Sequence, residues 1–401
     1  MIPYNKAKIL IRRNVTETKL TEEVNIIDSI HRILSKNVRS KISQPRSDLS
    51  AMDGVVIFKK DIFKDRLKLV GESKAGDKFS SDFKYGEAKL IYTGAPVPGK
   101  KKTIIPKENY VLDENKNEIK IIQKTNQNFI RKEGIDFKKN QECLFKNSII
   151  NTRSIALAKS MKIKKVKVKK KPEIFVIVTG DELISKNNKI GLIESSNEIL
   201  ISFLIQKFGG KVKKIFTVKD NVEDFQNIYN SLDYFDLLIT SGGISRGKYD
   251  IVKKVLVKNN LEIFFDRIAI KPGKPTTFGK FNENKYFLGL PGNPVSCFIS
   301  MLLFFSNFTN SFFGTNFLNL HQRKLISKNQ IKGNDSLTTF LRIKTNNKFS
   351  TFSVFSKQDS SLQKILNESD GIIIRKPNAR LIKKGELVDV ILFKDILNTE
   401  I

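Results

Sequence analysis

Histidine and cysteine are nearly absent from this chain. Its 401 residues hold two histidines, His31 and His321, and two cysteines, Cys143 and Cys297. Two cysteines build no disulfide framework and give no paired metal-ligand spacing. Two isolated histidines argue against a histidine zinc site and against a Ser-His-Asp triad. Long apolar runs are also missing. The run over 297–305 comes nearest to a membrane segment and falls short of the ~18–20 residues a span requires. The opening MIPYNKAKILIRR lacks the apolar stretch and small-residue cleavage site of a signal peptide. The expectation is a soluble, cytoplasmic protein with no membrane partner. Acidic residues are the minority charge, 41 against 72 basic, for a net charge of +31. Such an excess suits anionic partners. The lysines, however, are spread over the whole length among abundant Asn and Ile. That reads as composition bias, and nucleic acid is not an expected partner.

A chain that is 40% hydrophobic and 28% charged can bury a large core. At ~100–200 residues per domain it divides into two to four domains. The first strong pattern predicts a helix over 22–34, with Glu22 and Glu23 in its first turn and Val24, Ile27, His31 and Leu34 on one face. From 45 to 136 short apolar alternations, such as 54–58, 67–70, 88–92 and 118–122, are broken by Gly, Pro and Asn and predict a β-rich region. A helix over 152–161 follows. The basic run 162–171 is punctuated by Ile163, Val166 and Val168, as in a strand with one solvated face, and Pro172 marks a boundary. Strands over 174–178, 212–218, 235–239 and 261–270 then alternate with helices over 198–208, 222–232 and 249–257. Asn197 is placed as an N-cap and Gly209-Gly210 as a stop. This order predicts a mostly parallel sheet whose ligand binds beyond the carboxyl ends of the strands. The tail from 321 to 401 again reads as strands.

The loops at those strand ends carry the chemistry. Ser241-Gly-Gly-Ile-Ser-Arg-Gly247 follows a buried strand and precedes a helix, where glycines let a phosphate approach the backbone. It is not a Walker A loop, since no Gly-Lys-Ser/Thr follows. Lys271-Pro-Gly-Lys274-Pro275 sets two lysines on a rigid turn. Gly289-Leu-Pro-Gly-Asn-Pro-Val-Ser296 opens a helix that Asn293 or Ser296 can cap, with Pro294 in its first turn. Cys297 lies in the apolar part and reads as core. Asp181, Glu182, Asp220 and Asp250 each suit a cap or a solvated position. Together they line one sheet edge. Acids beside an anion site repel the ligand unless a cation intervenes, and Mg²⁺ bridges carboxylate and phosphate oxygens. The residues alone therefore indicate a phosphate-ester or nucleotide site assisted by Mg²⁺.

Taken in order, the motifs resemble the molybdopterin molybdenumtransferase family, the MoeA type that also forms the E domain of gephyrin. The segments that carry the resemblance are Ser50-Ala-Met-Asp-Gly54, Thr93-Gly-Ala-Pro-Val-Pro98 with Glu108, Thr179-Gly-Asp-Glu-Leu183, Ser196-Asn197, Ser241-Gly-Gly-Ile-Ser245, Tyr249-Asp250, Lys271-Pro-Gly-Lys-Pro275 and Leu290-Pro-Gly-Asn-Pro-Val295. The resemblance implies a multidomain α/β and β fold. Its parts are a linker and dimerisation domain (1–45 with 137–171), a β-rich domain (46–136), a central, mostly parallel α/β domain of molybdopterin-binding type (172–316) and a small C-terminal β domain (317–401). It implies a homodimer whose active site joins the α/β domain of one subunit to the β-rich domain of the other. The implied reaction is Mg²⁺-dependent insertion of molybdate into adenylyl-molybdopterin, with transient contacts to the adenylyltransferase and to molybdoenzymes. The catalytic acids it implies are Asp53, Asp136, Glu182, Asp220 and Asp250. The metal ligands are Asp181, Glu182, Asp220 and Asp250. Substrate binding falls to Thr93, Gly94, Thr179, Gly180, Ser241, Gly242, Gly243, Ser245, Lys271, Pro272, Gly273, Lys274, Pro291 and Asn293, with Arg342 and Ser360 as substrate-facing residues of the tail. The chain departs from the pattern at Ile135, where Glu is usual, at Val55, at Arg246 and in the lysine-rich stretch 99–103. Two other readings are carried alongside: an ATP-dependent molybdopterin adenylyltransferase and a non-catalytic molybdopterin-binding scaffold.

Overall fold

The computed structural model describes residues 1–77, 82–180, 195–243, 251–316, 318 and 320–397. The chain forms two compact units. One comprises Met1–Glu22, His31–Ile33 and Val168–Ile401, and the other Glu23–Ile30 with Leu34–Lys167.

The second unit is built on a six-stranded sheet in the order Lys102–Pro106, Gly54–Phe58, Glu87–Ile91, Arg66–Ser73, Glu118–Ile121, Tyr110–Asp113. The strand Gly54–Phe58 is apolar throughout because it is covered on both faces. Val55 and Ile57 enter one core with Leu67 and Ile119, and Val56 enters the other with Phe83 and Ile104. Helix Thr152–Ser160 is present, and Asn151 caps it by accepting the N–H of Ser154.

The helix expected over 22–34 is absent. Thr21–Asn25 is a strand, Ile27 is 70% exposed, and His31 has φ of 63°. The helical spacing was there, but its residues do not share one buried face, since Leu34 is buried and Ile27 is not, and a left-handed residue interrupts the run. The chain's first helix is instead Tyr4–Asn14, which buries Tyr4, Ala7 and Ile11 at helical spacing. The basic run becomes strand Lys165–Lys169, with Val166 and Val168 buried, as its alternation implies.

The first unit contains two sheets. The central one runs Lys211–Val218, Glu173–Thr179, Leu237–Ser241, Tyr286–Leu290, Thr277–Lys280, Glu262–Phe265. Its first three pairings are parallel and its last two antiparallel, so only Thr277–Lys280 runs against the rest. The strand expected over 261–270 thus divides. Glu262–Phe265 stays at the sheet's edge and Ile270–Lys271 joins the second sheet. The link over 281–285 is too short for a parallel crossover, which takes a dozen residues or more. In the second sheet the pairings pass from Thr338–Thr345 through Thr351–Val354, Arg323–Ser327, Leu387–Leu392 and Gly371–Arg375 back to Thr338–Thr345, closing a five-stranded barrel. Ile343, Phe352, Ile373 and Val390 fill it. The expected architecture of α/β and β parts is therefore the one observed.

The apolar stretch is longer than 297–305. Pro294–Phe313 runs helically for 20 residues, and an 18-residue stretch of it has mean hydropathy 1.3 and is 94% buried by the protein itself. Its polar groups are turned inward. Ser306 and Asn307 donate to the Leu302 and Leu303 carbonyls four residues back. It is a core helix of its unit.

Candidate active site

Three parallel strands set the site. In their register Val178 lies beside Ser241, and Ser241 beside Leu290. The residues that follow, Thr179-Gly180, Gly242-Gly243 and Pro291-Gly292, therefore leave the sheet side by side. Beyond them opens a cleft of about 1040 Å³. The glycine pair is required by shape. Gly242 has φ of +90°, and a Cβ there would lie 2.3 Å from the Thr179 carbonyl oxygen. Gly243 has φ of +62°, and its Cβ would lie 2.7 Å from Thr179 Oγ1.

Asn197 does not cap its helix. Its Nδ2 donates to Ser241 Oγ at 2.9 Å and to the Gly292 carbonyl at 2.7 Å, which ties the helix start to both neighbouring loops. A capping residue type and a tertiary crosslink look alike in sequence. Asn197 Oδ1 and Thr179 Oγ1 are buried and have no hydrogen-bond partner among the described residues. Behind Ser241 lies Cys297, whose thiol burial pushes up to about 12. It is core, as its apolar surroundings imply.

Lys271 and Lys274 are exposed at the cleft, with Pro272, Gly273 and Pro275 between and beside them. Their turn is braced from behind. Thr276 Oγ1 donates to the Gly273 carbonyl at 2.7 Å, and the Thr276 and Ser300 hydroxyls lie 2.8 Å apart. The opposite wall comes from the barrel. Asn293 Nδ2 donates to Ser360 Oγ at 2.9 Å, the Val295 N–H donates to the Ser360 carbonyl at 3.1 Å, and Gln363 Nε2 donates to Ser196 Oγ at 2.8 Å. Ser360 thus lines the cleft and Arg342 does not. Arg342 is 1% exposed, with its guanidinium spent on carbonyl groups of the 357–362 loop. Its expected substrate-facing position is corrected: the fork points into the loop. Ser196, Gln358 and Gln363 also line the cleft. Of these, only Ser196 lay in a recognised motif. The hydroxyl-rich turn 358–361 was the available signal for the other two.

In the second unit Asp53 is exposed, and its Oδ1 accepts the Thr93 N–H at 2.7 Å and the Thr93 hydroxyl at 2.8 Å. These bonds hold its carboxyl below the usual range. Gly54 follows because a Cβ there would meet the Ile105 carbonyl oxygen at 2.1 Å. Gly94 donates its N–H to the Ser50 carbonyl at 2.9 Å, so the two motifs of this unit meet. Asp136 is exposed, with its N–H on the Gln44 carbonyl at 3.1 Å. Burial first, and then the Asp136 charge, push the Cys143 thiol up. Asp220 is half-buried just past strand Lys211–Val218 and is not in the cleft wall. Asp181, Glu182, Ser245 and Asp250 lie outside the described residues, as does Arg246. Among the described residues, no three His, Cys, Asp or Glu side chains gather as a metal site.

The cleft residues from Val178 to Ser296 fall within a segment, 175–310, that matches the family described as "Probable molybdopterin binding domain". Residues 2–161 match the "MoeA N-terminal region (domain I and II)". The chain is 33% identical over 305 residues to the molybdopterin molybdenumtransferase of Haemophilus influenzae, covering 75% of each. It is 31% identical over 288 residues to that of Staphylococcus aureus, covering 69% of this chain and 68% of the other. The crystal structure of a molybdopterin biosynthesis MoeA protein from Pyrococcus horikosii aligns with a TM-score of 0.83 at 27% identity, over 98% of this chain and 99% of that one. On these matches the chain belongs to the molybdopterin molybdenumtransferase family, transferases of molybdenum cofactor biosynthesis.

Proposed function

We propose that this enzyme inserts molybdate into adenylyl-molybdopterin, releasing AMP and molybdenum cofactor. The observation that supports it best is the pairing, on one cleft, of a glycine turn that admits a close ligand with two exposed lysines on a braced turn. A pterin adenylate carries phosphate groups and molybdate is an oxyanion, so both need fixed positive charge. Lys271 and Lys274 supply it. The neutral groups on the other side of the cleft, Asn197, Thr179, Asn293 and Ser360, suit the nitrogen- and hydroxyl-rich parts of the substrate. The Thr93 hydrogen bonds hold the Asp53 carboxyl below its usual range, so it offers a carboxylate to a cation or a hydrogen-bond donor.

Mg²⁺ belongs to this reading. The acids assigned to it, Asp220 with Asp181, Glu182 and Asp250, form an all-oxygen set of the kind a hard cation prefers. Only Asp220 is among the described residues, beside the sheet end that carries the cleft. An ion held by these carboxylates would supply positive charge to offset that of the phosphate groups. The reading also includes the four-part division at 45, 136, 171 and 316, a homodimer, action in the cytoplasm, and transient contacts with the adenylyltransferase and molybdoenzymes.

Reconstitution with adenylyl-molybdopterin, molybdate and Mg²⁺ tests it. Wild-type protein is expected to release AMP in step with cofactor formation, and Asp53→Ala to lose turnover while keeping its circular dichroism spectrum. Folded wild-type protein that releases no AMP overturns the reading. ATP-dependent loading of AMP onto molybdopterin would move the assignment to the adenylyltransferase step.

A further inference from the structure

We propose that Arg342 is a positioning residue: it never meets the ligand, and it holds the 357–362 loop so that Ser360 stands in the cleft wall. The inference deepens the reading above and rests on it for its calorimetry arm only.

The loop lies between strand Thr351–Val354 and helix Gln363–Glu368 and pairs with no strand of either sheet. Something else must fix it. Arg342, on the barrel strand Thr338–Thr345, is among the largest fully buried side chains of the protein. Its Nη1 donates to the Leu362 carbonyl at 3.2 Å. Its Nη2 donates to the Asp359 carbonyl at 2.9 Å and to that of Lys357 at 3.5 Å. Its Nε donates to Gln358 Oε1 at 3.3 Å. Gln358 completes the clamp. Its Oε1 accepts the Arg342 N–H at 3.0 Å, while its Nε2 donates to the carbonyls of Arg342 at 3.1 Å and Phe355 at 2.9 Å. A planar fork can serve several carbonyls at once, and an ammonium cannot match that geometry.

The clamped loop is what reaches the ligand space. Gln358, Asp359, Ser360 and Ser361 line the cleft and Arg342 does not. Asp359 is turned to the loop itself, accepting the Ser361 N–H at 2.8 Å and hydroxyl at 2.6 Å. Ser360 then bonds Asn293 and the Val295 N–H across the cleft. A buried guanidinium whose donors already face four loop acceptors has no geometry left for gripping an oxyanion. Released from its carbonyls, it would also leave them without that donor.

The test compares Arg342→Gln, Arg342→Lys, Ser360→Ala and the Arg342→Gln/Ser360→Ala double variant. Limited trypsinolysis with mass identification reads the loop directly, because Lys357 and Lys364 flank it and are exposed. Calorimetry with AMP and with molybdate reads the cleft. In Arg342→Gln, cleavage at Lys357 and Lys364 is expected to quicken at least tenfold, with cleavage in 34–167 unchanged. Arg342→Lys is expected to lose affinity as Arg342→Gln does, since charge without the fork does not hold the loop. The double variant should bind no more weakly than the weaker single one, because both act through the same wall. Gln358→Ala, which cuts the clamp while keeping Arg342, should reproduce the loop cleavage even where an Arg342 variant fails to fold.

The inference is overturned if Arg342→Lys binds molybdate like wild type while Arg342→Gln does not, or if the Arg342 and Ser360 losses multiply. Unchanged cleavage at Lys357 in both Arg342→Gln and Gln358→Ala overturns it too. A wild-type enzyme that fails to release AMP would count against the proposed reaction and leave the proteolysis result standing.

Discussion

Replacing Gly242 with alanine should damage the site far more than the same change fifty residues on at Gly292. At Gly242 the backbone has φ of +90°, and the new methyl would sit 2.3 Å from the Thr179 carbonyl oxygen and 2.9 Å from its hydroxyl. A positive φ costs an L-residue about 1–2 kcal/mol. Ordinary contact begins at 3.4 Å, so the turn must also open by about 1 Å, and forced overpacking costs about 1–3 kcal/mol. The sum is about 2–5 kcal/mol, which a domain stable by about 5–15 kcal/mol survives with a lowered midpoint. At Gly292 the nearest atom to an added Cβ is the Gly242 Cα at 3.8 Å, an ordinary contact. That change should stay within about 0.5 kcal/mol. Urea unfolding followed by circular dichroism, with AMP titration by calorimetry, reads both effects. Gly242→Ala is expected to unfold at clearly lower urea and to bind AMP at least tenfold more weakly. Equal unfolding midpoints for the two variants would refute the steric argument, and unchanged AMP affinity in Gly242→Ala would separate the turn from the ligand.

The two thiols should behave differently. With the Cys297 thiol near 12, about one part in 10⁴ is thiolate at pH 8, and the group is buried. A disulfide reagent should label Cys143 alone in native protein and both thiols in denaturant; native labelling of Cys297 would contradict its placement. Removing a donor from Asp53 should move its titration. A depressed carboxyl contributes stability above its ordinary value of 3.8 and loses it as pH falls through the lower folded value. Thr93→Val, which deletes the hydroxyl donor, should therefore bring the Asp53 carboxyl upward toward 3.8 in a ¹³C NMR titration, and an unmoved midpoint would show that the hydroxyl bond is not formed in solution.

The parts of the fold legible in sequence were those where local pattern and tertiary need coincide. Runs such as 174–178 and 237–239 are apolar without alternation because both faces of a parallel sheet are covered. The glycine and proline loops followed from those strands, since a parallel sheet delivers its loops to one edge, whereas the lysine turn follows Ile270–Lys271 of the second sheet. Where pattern and need part, reading fails. Val24, Ile27, His31 and Leu34 keep a helical period, yet Ile27 is exposed while Leu34 is buried, so no single face packs. The antiparallel strand Thr277–Lys280 depends on the short link 281–285, whose residues look like any turn. Asn197 has the chemistry of a cap and spends it on Ser241 and Gly292. Arg342 has the charge of an anion ligand and spends it on carbonyls. Polar side chains choose partners by proximity in space, and a one-dimensional reading does not contain that proximity.

The helical stretch Pro294–Phe313 carries a consequence for biosynthesis. It is long and apolar enough to enter a bilayer, and only the finished protein hides it. When it leaves the ribosome, the barrel strands from Arg323 onward have not yet emerged after it. For that interval the nascent chain shows a would-be anchor. Its shelter then must come from the earlier-made sheet strands and from Tyr4–Asn14, so the amino-terminal helix serves as an early cover for a segment synthesised some three hundred residues later.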